Sequence, residues 1–264
     1  MGISNYQGDL ASYNTDNGFT AKIGPVFGLH AGYELNSRFE LRADLLYTRL
    51  SGDDELNQNE VSKQRNLDFF SPVIQLAGGC DWNLFNFSMQ NDKGFTPYIS
   101  GGASLFYINP MTTYEGEKVA LHPLGTEGQY LSDYPDQKPY SLFQPSLQLG
   151  GGLKLLTTSR LLIALEAMMS YAFTDYIDDV STIYITYPEL LQKAGPLTAA
   201  LANRQGEYLN TEHVIVPTGS LRGNAQTNDY FGTITLRLSV PMDIGSQNFK
   251  GRHRNAKTIQ CPKF

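Results

Sequence analysis

The sequence predicts an all-β fold: an eight-stranded up-and-down antiparallel transmembrane β-barrel with long extracellular loops. Three observations support this fold class. Apolar and polar residues alternate over seven segments of 10–14 residues, and a period of two places successive side chains on opposite faces of a strand. These segments are longer than the ~5–6 residues typical of soluble sheets. Short and long connections also alternate along the chain, as they do in outer-membrane barrels.

The eight strands are assigned from this alternation. Seven of them are the segments 22–35, 39–48, 73–84, 96–107, 146–155, 161–173 and 230–240. Residues 1–6 continue the pattern more briefly and are expected to be the remainder of an eighth strand, with residues missing upstream. A soluble β-sandwich would bury the apolar positions in its core, whereas a membrane barrel turns them toward lipid. The strand length and the alternating connections favour the membrane barrel.

Charged residues fall on one face of the predicted strands. In the seven segments the apolar positions carry no charge, and the opposite positions carry nine charges: Lys22, Glu34, Glu40, Arg42, Asp44, Asp81, Lys154, Glu166 and Arg237. In a barrel these positions face a lumen that eight strands make just wide enough for side chains to fill. Buried charges have to pair, so the sequence predicts an ion-paired plug. The alternative is a charged channel, which would need a wider lumen.

The lengths of the connections predict which rim of the barrel faces the periplasm. Short turns are expected at 36–37, 90–94 and 157–160, and long loops at 7–19, 51–70, 109–143 and 174–229, with a short helix near 188–201. The short turns of outer-membrane barrels face the periplasm. Aromatic residues near the strand ends fit the two interfacial girdles of such a barrel; they include Tyr33, Phe39, Trp82, Phe85, Phe95, Tyr107 and Tyr171.

Composition argues against several other classes. No apolar run approaches the ~20 residues of a membrane-spanning helix, and the net charge of −6 argues against a nucleic-acid partner. The first ten residues lack the basic start and apolar stretch of a signal peptide, so an exported protein would have its leader upstream. Two cysteines are too few for a disulfide scaffold or a cysteine-based zinc site.

The last residues predict a second, smaller unit. The barrel is expected to span residues 1–243, followed by a basic periplasmic tail at 244–264. The cations of this tail are Lys250, Arg252, Arg254, Lys257 and Lys263. The tail could bind an acidic partner or lipid phosphates, or be a solvated terminus. Cys80 takes a lipid-facing position as a small hydrophobe, whereas Cys261 lies in the tail and is expected to be free or bonded to another protein.

Two groups of carboxylates are candidate metal ligands. Clustered carboxylates can bind calcium, but neither group is followed by the residue spacing of a calcium loop. We therefore expect both groups to be solvated parts of loops. The residues are Asp175, Asp178 and Asp179 in one group and Asp53, Asp54 and Glu55 in the other.

Catalytic residues are not indicated by any motif. His30 is predicted to face the lumen, where Ser100, Ser104 or Ser146 could lie opposite it as in a hydrolase. Many such pairs must be close inside a narrow barrel, so this proximity carries little weight. The sequence contains no hydrolase, zinc-protease or phosphate-loop motif. We expect no catalytic, metal or cofactor site.

Four segments resemble a known family. They are SNYQGDL at 4–10, FTPYISGG at 95–102, PLGTEGQ at 123–129 and FTDYIDDVST at 173–182. In this order they are similar to the PorG-like (DUF6089-type) outer-membrane proteins of the type IX secretion system, and the similarity runs along nearly the whole chain. The chain departs from these proteins at its start, where a signal peptide and part of the first strand are expected.

The resemblance implies a function. It implies a multi-pass protein of the bacterial outer membrane that is non-enzymatic and anchors or positions the periplasmic ring of the type IX protein secretion system. The implied partners are a PorK-like lipoprotein, a PorN-like ring protein and outer-membrane lipid. The alternative is an adhesin or surface-binding protein that acts through its long extracellular loops. A membrane lipid-modifying enzyme that uses His30 is a third hypothesis.

Overall fold

The computed structural model describes residues 1–11, 22–89, 94–158 and 160–242 of the chain. These ranges contain the strands β1 Gly2–Gln7, β2 Ile23–Glu34, β3 Phe39–Asp53, β4 Asp68–Asn83, β5 Gly94–Ile108, β6 Met111–Tyr114, β7 Glu117–Ala120, β8 Phe143–Leu156, β9 Leu162–Ala172 and β10 Tyr230–Ser239. They also contain the helices α1 Glu60–Arg65, α2 Tyr187–Lys193, α3 Pro196–Ala202 and α4 Gln205–Leu209. In the described part of the chain, no helix is long and apolar enough to cross a membrane.

Eight of the strands close into an antiparallel barrel. Their order is β3-β2-β1-β10-β9-β8-β5-β4, and β4 pairs with β3 to complete the ring. All of these pairings are antiparallel. The all-β, eight-stranded barrel predicted from the sequence is therefore confirmed, and residues 2–7 supply the eighth strand.

The stagger of the strands can be read from one row of paired residues. From Asn83, whose backbone N–H donates to the carbonyl of Arg38, the row passes through Tyr98, Gly152, Glu166, Thr235, Gly2 and Val26 to Thr48. The row begins at Arg38 and, after one circuit of the barrel, reaches Thr48, which is ten residues further along the same stretch of chain. Such a stagger in an eight-stranded barrel requires strands tilted by roughly 35–45° and leaves an interior that side chains can fill.

The barrel turns its apolar side chains outward and its polar side chains inward. Leu29 is 74% exposed and Leu149 is 67% exposed, whereas Lys154 and Asp81 are both 0% exposed. The strict alternation along each strand produces this division, because successive side chains point to opposite faces. The surface of the wall is therefore apolar, the reverse of the arrangement in a water-soluble barrel.

Aromatic side chains ring the outer wall near both rims. Near the short turns, Phe39 pairs with Trp82 across β3 and β4. Near the long loops, one paired row carries Tyr47, Ile74, Tyr107 and Phe143, and the rings of Tyr107 and Phe143 have centroids 5.2 Å apart. From Phe39 to Tyr47 the strand rises roughly 26 Å, or roughly 20 Å along the tilted barrel axis.

The connections differ from the predicted ones in length and content. Strands β3 and β4 extend to Asp53 and from Asp68, so the loop between them is shorter than 51–70 and includes α1. The loop after β5 forms the hairpin β6–β7, which joins β4 where Phe70 pairs with Met111. The helix predicted near 188–201 is divided into α2 and α3, because the turn at Ala194–Gly195 interrupts it.

The predicted turns lie partly outside the described residues. Leu35 and Asn36 both donate their backbone N–H to the carbonyl of Phe39, which closes the turn predicted at 36–37. Thr157 and Arg160 close the third turn through their backbone N–H groups. Residues 90–93, most of the turn predicted at 90–94, and residues 12–19 of the first long loop lie outside the described ranges.

The lumen is filled at successive levels. Phe87, Leu156 and Leu162 form a buried apolar cluster at the short-turn rim. At the long-loop rim a larger apolar cluster includes Tyr6, Phe69, Phe106 and Phe231, in which Phe106 and Phe231 pack edge to face. Between these apolar levels lie the buried charges described below.

Candidate functional site

A network of ion pairs crosses the lumen, and we call it the lumen network. It brings together seven of the nine charges predicted to face the lumen: Glu40, Arg42, Asp44, Asp81, Lys154, Glu166 and Arg237. His30 and Tyr98 are bound to the same carboxylates. The members come from β2, β3, β4, β5, β8, β9 and β10, so the network ties most of the wall together.

Arg42 is the residue with the most partners. Its guanidinium donates two hydrogen bonds to Glu166, from Nη1 to Oε2 at 2.6 Å and from Nη2 to Oε1 at 2.9 Å. It also donates to Asp44 Oδ2 at 2.7 Å and to Ser100 Oγ at 2.9 Å. The flat guanidinium, with five N–H donors in a fixed fork, suits such a convergence of acceptors.

Lys154 forms the second centre of the network. Its ammonium lies 2.9 Å from Glu40 Oε2 and 2.8 Å from Asp81 Oδ2, and the lysine is fully buried. The ring of Tyr98 lies 4.5 Å from Nζ, measured to the ring centroid. A buried ammonium needs such partners, because an unpaired one is very costly.

A glycine makes room for one of these contacts. Gly152 lies between Tyr98 and Glu166 in the paired row of β5, β8 and β9. The hydroxyl of Tyr98 donates to Glu166 Oε2 at 2.5 Å, over a position that has no side chain. A Cβ at position 152 would clash with the backbone carbonyl of Leu165, so only glycine fits there without a shift of the chain.

His30 belongs to the lumen network. Its Nδ1 lies 2.8 Å from Asp44 Oδ1 and 3.0 Å from Arg237 Nη1. The serines considered as nucleophiles have other partners: Ser100 accepts from Arg42, and Ser104 is 2.6 Å from Ser146. The histidine and the serines therefore serve the polar filling of the lumen.

Two of the predicted lumen charges lie apart from the network, because they stand at opposite ends of β2. Lys22 precedes β2 at the long-loop rim, where its Nζ is 2.7 Å from Asp53 Oδ2. Glu34 ends β2 at the short-turn rim, where it accepts from the backbone N–H of Met89 at 2.6 Å and from Ser88 Oγ at 3.1 Å. Glu34 therefore stabilises the connection that follows β4.

A cavity of about 370 Å³ remains beside the network. Its polar lining includes His30, Arg42, Gln148, Glu166 and Arg237. It lies beside Met1, where β2 and β10 continue past the first residue of β1.

A second buried polar assembly lies above the barrel at the long-loop rim, and we call it the loop cap. It consists of residues 123–129, residues 173–182, Arg222 and Asp229. Glu127, fully buried, is at its centre. This carboxylate accepts from the backbone N–H groups of Ser181 and Thr182 at 2.9 and 3.1 Å and pairs with Arg222 at 3.1 Å.

Two glycines direct Glu127 into the cap. Gly125 has φ +62° and Gly128 has φ +81°, a backbone region that residues with a Cβ rarely adopt. They flank Thr126 and Glu127, so the chain turns on both sides of the pair. Thr126 Oγ1 donates to Asp179 Oδ2 at 2.6 Å, which joins the two halves of the cap.

Asp179 is the counterpart of Glu127 in the other half of the cap. Its Oδ1 accepts from the hydroxyl of Tyr140 at 2.6 Å, and its backbone carbonyl accepts from Arg222 at 2.6 Å. The rings of Tyr140 and Tyr176 stack with centroids 4.6 Å apart. Burial raises the pKa of Asp179 to about 6, although Arg222 opposes the shift.

Tyr6 connects the cap to the first strand through two carboxylates. Its hydroxyl lies 2.7 Å from Asp178 Oδ2 and 2.8 Å from Asp229 Oδ1. One hydroxyl proton cannot serve both contacts, so one of the two carboxyl groups must carry a proton of its own. Burial raises the pKa of Asp178 to about 7 and that of Asp229 well above its ordinary value.

Asp175 adds a further buried carboxyl to this group. Its Oδ2 is buried and has no hydrogen-bond partner in the described part of the chain. Burial, reinforced by the nearby Asp178, raises the pKa of Asp175 to about 9. In the described ranges, no three or more His, Cys, Asp or Glu side chains are arranged to hold a metal ion.

The expectation of solvated carboxylates was wrong for four of the residues concerned. Asp175, Asp178 and Asp179 are 7%, 1% and 0% exposed, and Asp54 is 0% exposed. Asp54 pairs with Arg65 Nε at 2.7 Å, and Arg65 also donates to the backbone carbonyls of Asp9 and Arg222. Composition indicated a solvated loop, but these loops fold over the barrel and bury their own polar side chains.

The remaining candidate residues include some outside the described ranges. Cys80 lies on β4 among the outward-facing positions and is a free thiol. The tail cations and the cysteine considered for an intermolecular bond fall outside the described residues, and the predictions for them stay predictions; they are Lys250, Arg252, Arg254, Lys257, Lys263 and Cys261.

Three of the four segments that carried the family resemblance meet in space. Residues 4–10 supply Tyr6 to the cap, and residues 123–129 and 173–182 form most of it. Residues 95–102 instead supply Tyr98 and Ser100 to the lumen network. No local pattern indicated that segments 4–10, 123–129 and 173–182 touch, because long stretches of chain separate them.

Comparison with known proteins identifies a family. No curated protein and no solved structure matches the chain. A family model described as a domain of unknown function, DUF6089, matches residues 1–190. The match covers well over half of the 264-residue chain and includes all four resembling segments. The chain therefore belongs to the DUF6089 family.

Proposed function

We propose that this protein is a non-enzymatic barrel of the bacterial outer membrane that anchors or positions the PorK/PorN ring of the type IX protein secretion system. The observation that carries the membrane location is the division of its wall. Large apolar side chains such as Leu29, Leu76 and Leu149 are 62–74% exposed, while charges are buried inside. Exposed apolar surface of this extent is unfavourable in water and favourable in lipid.

A structural role agrees with the filled interior. The lumen network, the apolar cluster at Phe87 and the aromatic cluster at Phe106 occupy different levels of the same narrow barrel. A barrel filled in this way offers no wide path for ions or protein. Its function then depends on its rims, its loops and its outer wall.

The link to the periplasmic ring rests on the four family segments. They resemble PorG-like proteins, and two of them form most of the loop cap while a third binds it through Tyr6, so the resemblance includes buried residues of this chain. With the short turns toward the periplasm, the short-turn rim and the basic tail would be on the side of the ring. PorK-like and PorN-like proteins are therefore the proposed partners, together with outer-membrane lipid.

The alternative is a surface-binding protein that acts through its loops. The loop cap supports a defined outer surface, since Glu127, Asp179 and Arg222 are buried and hydrogen-bonded. The cap has an internal structural task, however, because it covers the long-loop end of the barrel. We therefore rank this function second.

Purification from membranes tests the proposal. The tagged full chain, extracted in mild detergent from outer membranes after crosslinking, should bring PorK-like and PorN-like proteins with it. Replacement of all five tail cations by Gln should weaken this recovery if the tail contributes. A matched variant on the opposite side, Lys138→Gln in the loop after β7, should leave it unchanged. Recovery of the protein in the outer membrane without any ring component would contradict the anchoring role.

A further inference from the structure

Two cations on the outside of the barrel share one aromatic ring. Arg49 lies on β3 and Lys118 on β7. The guanidinium carbon of Arg49 is 4.2 Å from the centroid of the Phe70 ring, and Lys118 Nζ is 5.9 Å from the same centroid. Both distances are within the range of a cation–π contact. Two positive charges on the surface therefore contact the same ring.

The position of this cluster relative to the aromatic ring of the wall is defined by the strand register. Arg49 follows Tyr47 by two residues, so both side chains point outward from β3 and Arg49 is one step closer to the loops. Tyr47 belongs to the row of aromatic residues near the long-loop rim. In a membrane barrel such aromatic residues lie at the lipid headgroups. Arg49 and Lys118 therefore lie at or just above that level.

These two cations differ from the other cations on this side of the barrel. Most of those have a carboxylate partner: Lys22, Lys63, Arg65, Lys193, Arg204 and Arg222 each make an ion pair. Arg49 and Lys118 make no ion pair with any residue in the described ranges, and both are exposed. Two charges that contact one ring and have no counter-ion among the described residues would bind an anion with little loss of existing contacts.

We propose that Arg49, Lys118 and Phe70 form a binding site for a phosphorylated lipid headgroup in the outer leaflet. Arginine donates paired hydrogen bonds to phosphate, and lysine adds a point charge. The Phe70 ring orients the guanidinium in advance, which lowers the cost of ordering it on binding. This inference rests on the outer-membrane location proposed above, and it names the lipid chemistry that the outer wall recognises.

Lipid binding to the full chain in detergent micelles tests the site. The probes are lipid A that carries its phosphate groups and the same lipid with the phosphates removed. The intact protein should bind the phosphorylated form at least about tenfold more tightly, and the double variant Arg49→Gln/Lys118→Gln should lose about tenfold or more of that affinity. Phe70→Leu should lose about two- to fivefold, because it keeps both charges but removes the ring.

A matched variant and a soluble anion complete the experiment. Lys138→Gln removes another exposed loop cation that makes no ion pair with a described residue, and it should bind lipid as the intact protein does. Equal binding by the double variant and Lys138→Gln would overturn the proposal. So would equal binding of the two lipids, or full competition by inorganic phosphate at concentrations comparable to the lipid, which would mean a site for the free ion.

The outcome is separable from that of the proposed function. The double variant should still fractionate with the outer membrane and still recover the periplasmic ring, since its changes lie at the opposite rim. If the intact protein fails to enter the outer membrane, the proposed function fails as well. If it enters the membrane and recovers the ring but shows no preference for phosphorylated lipid, only this inference is overturned.

Discussion

Arg42 and Glu166 form a two-point ion pair across the lumen, with N–O distances of 2.6 and 2.9 Å. They lie on β3 and β9, which do not pair with each other in the ring of strands. The pair therefore joins two sides of the wall through the interior. Its energetic weight comes from burial, since the loss of one partner leaves a buried charge uncompensated.

Replacement of Arg42 by Met should lower the free energy of unfolding by about 3–5 kcal/mol, because it deprives the buried Glu166 and Asp44 of the cation that binds them most closely. Urea unfolding of the protein in lipid micelles measures the change. Arg42→Lys keeps the charge but loses the paired geometry, so its free energy of unfolding should lie between those of the intact protein and Arg42→Met. A loss of less than about 0.5 kcal/mol for Arg42→Met, the size of an ordinary surface change, would mean that the network does not stabilise the barrel.

Glu127→Gln should loosen the loop cap and leave the barrel folded. The variant removes the negative charge that Arg222 faces and weakens the hydrogen bonds from Ser181 and Thr182. Breaking a buried charge pair typically costs about 3–5 kcal/mol. Here we expect this loss to make local opening of the cap easier. Limited proteolysis should cut the 173–182 segment faster than in the intact protein. Glu117→Gln, an exposed change on β7, should have no effect on the rate.

The cap should be more stable in acid than in alkali. The pKa of Asp179 is raised to about 6, that of Asp178 to about 7 and that of Asp175 to about 9. The folded cap therefore holds protons that the opened cap releases, so its stability falls as the pH rises from the ordinary aspartate value of 3.8 toward about 9. Hydrogen exchange of residues 173–182 should be slower at about pH 5 than at about pH 9, after correction for the intrinsic rate.

Neutral variants check the cause of this pH dependence. Asp175→Asn removes the group with the highest of the three values and should flatten the dependence over the alkaline part of the range. Asp136→Asn changes an exposed carboxylate in the loop after β7 and should leave the dependence as it was. Stability of the cap that rises with pH would contradict the assignment of protons to these buried groups.

The strands and the faces of this barrel follow from local pattern, and the sequence was sufficient to predict them. Side chains alternate with a period of two, so Leu41 and Arg42 had to point to opposite sides wherever β3 lay. The same rule predicted that charges such as Lys154 and Glu166 face one interior. Their actual partners depend on the stagger of the strands, which brings residue 38 and residue 48 into one row and which no local pattern records.

The loop cap could not be predicted for a different physical reason. Asp178 and Asp229 are ordinary loop residues by composition, and loops rich in Asp, Tyr and Thr are usually solvated. They are buried against Tyr6, whose hydroxyl contacts both carboxylates from the first strand. Only the distinctive sequence of 123–129 and 173–182 distinguished these segments from other loops, and that signal did not say that they touch.

The intact protein should show no stable channels in a planar lipid bilayer. Lys154 and Asp81 are fully buried in the lumen, and Phe87 and Phe106 are buried nearer the two rims. An ion would have to displace several of these levels in turn, and the charged level is held by ion pairs at 2.8–2.9 Å. Recording at both signs of voltage measures this directly. Large, long-lived conductance steps from purified protein would mean that the filling moves aside and that the barrel transports solutes.

Substitutions on the outer wall test whether the barrel lies in a membrane. Leu149 lies midway along the outward face of β8, six residues from Phe143 near one rim and six from Leu155 near the other. In a bilayer, Leu149→Arg places a charge near the midplane and should cost roughly 2–4 kcal/mol, whereas Leu155→Arg lies near the interface and should cost roughly 0–1 kcal/mol. In a water-soluble barrel both residues would be exposed surface positions, and each change would fall within about 0.5 kcal/mol of zero. Unfolding of the two variants in phospholipid bilayers therefore distinguishes a barrel in the membrane from a water-soluble one, because only lipid makes the loss of stability depend on depth. Equal and small changes in stability at both positions would remove the support that the apolar wall gives to an outer-membrane location.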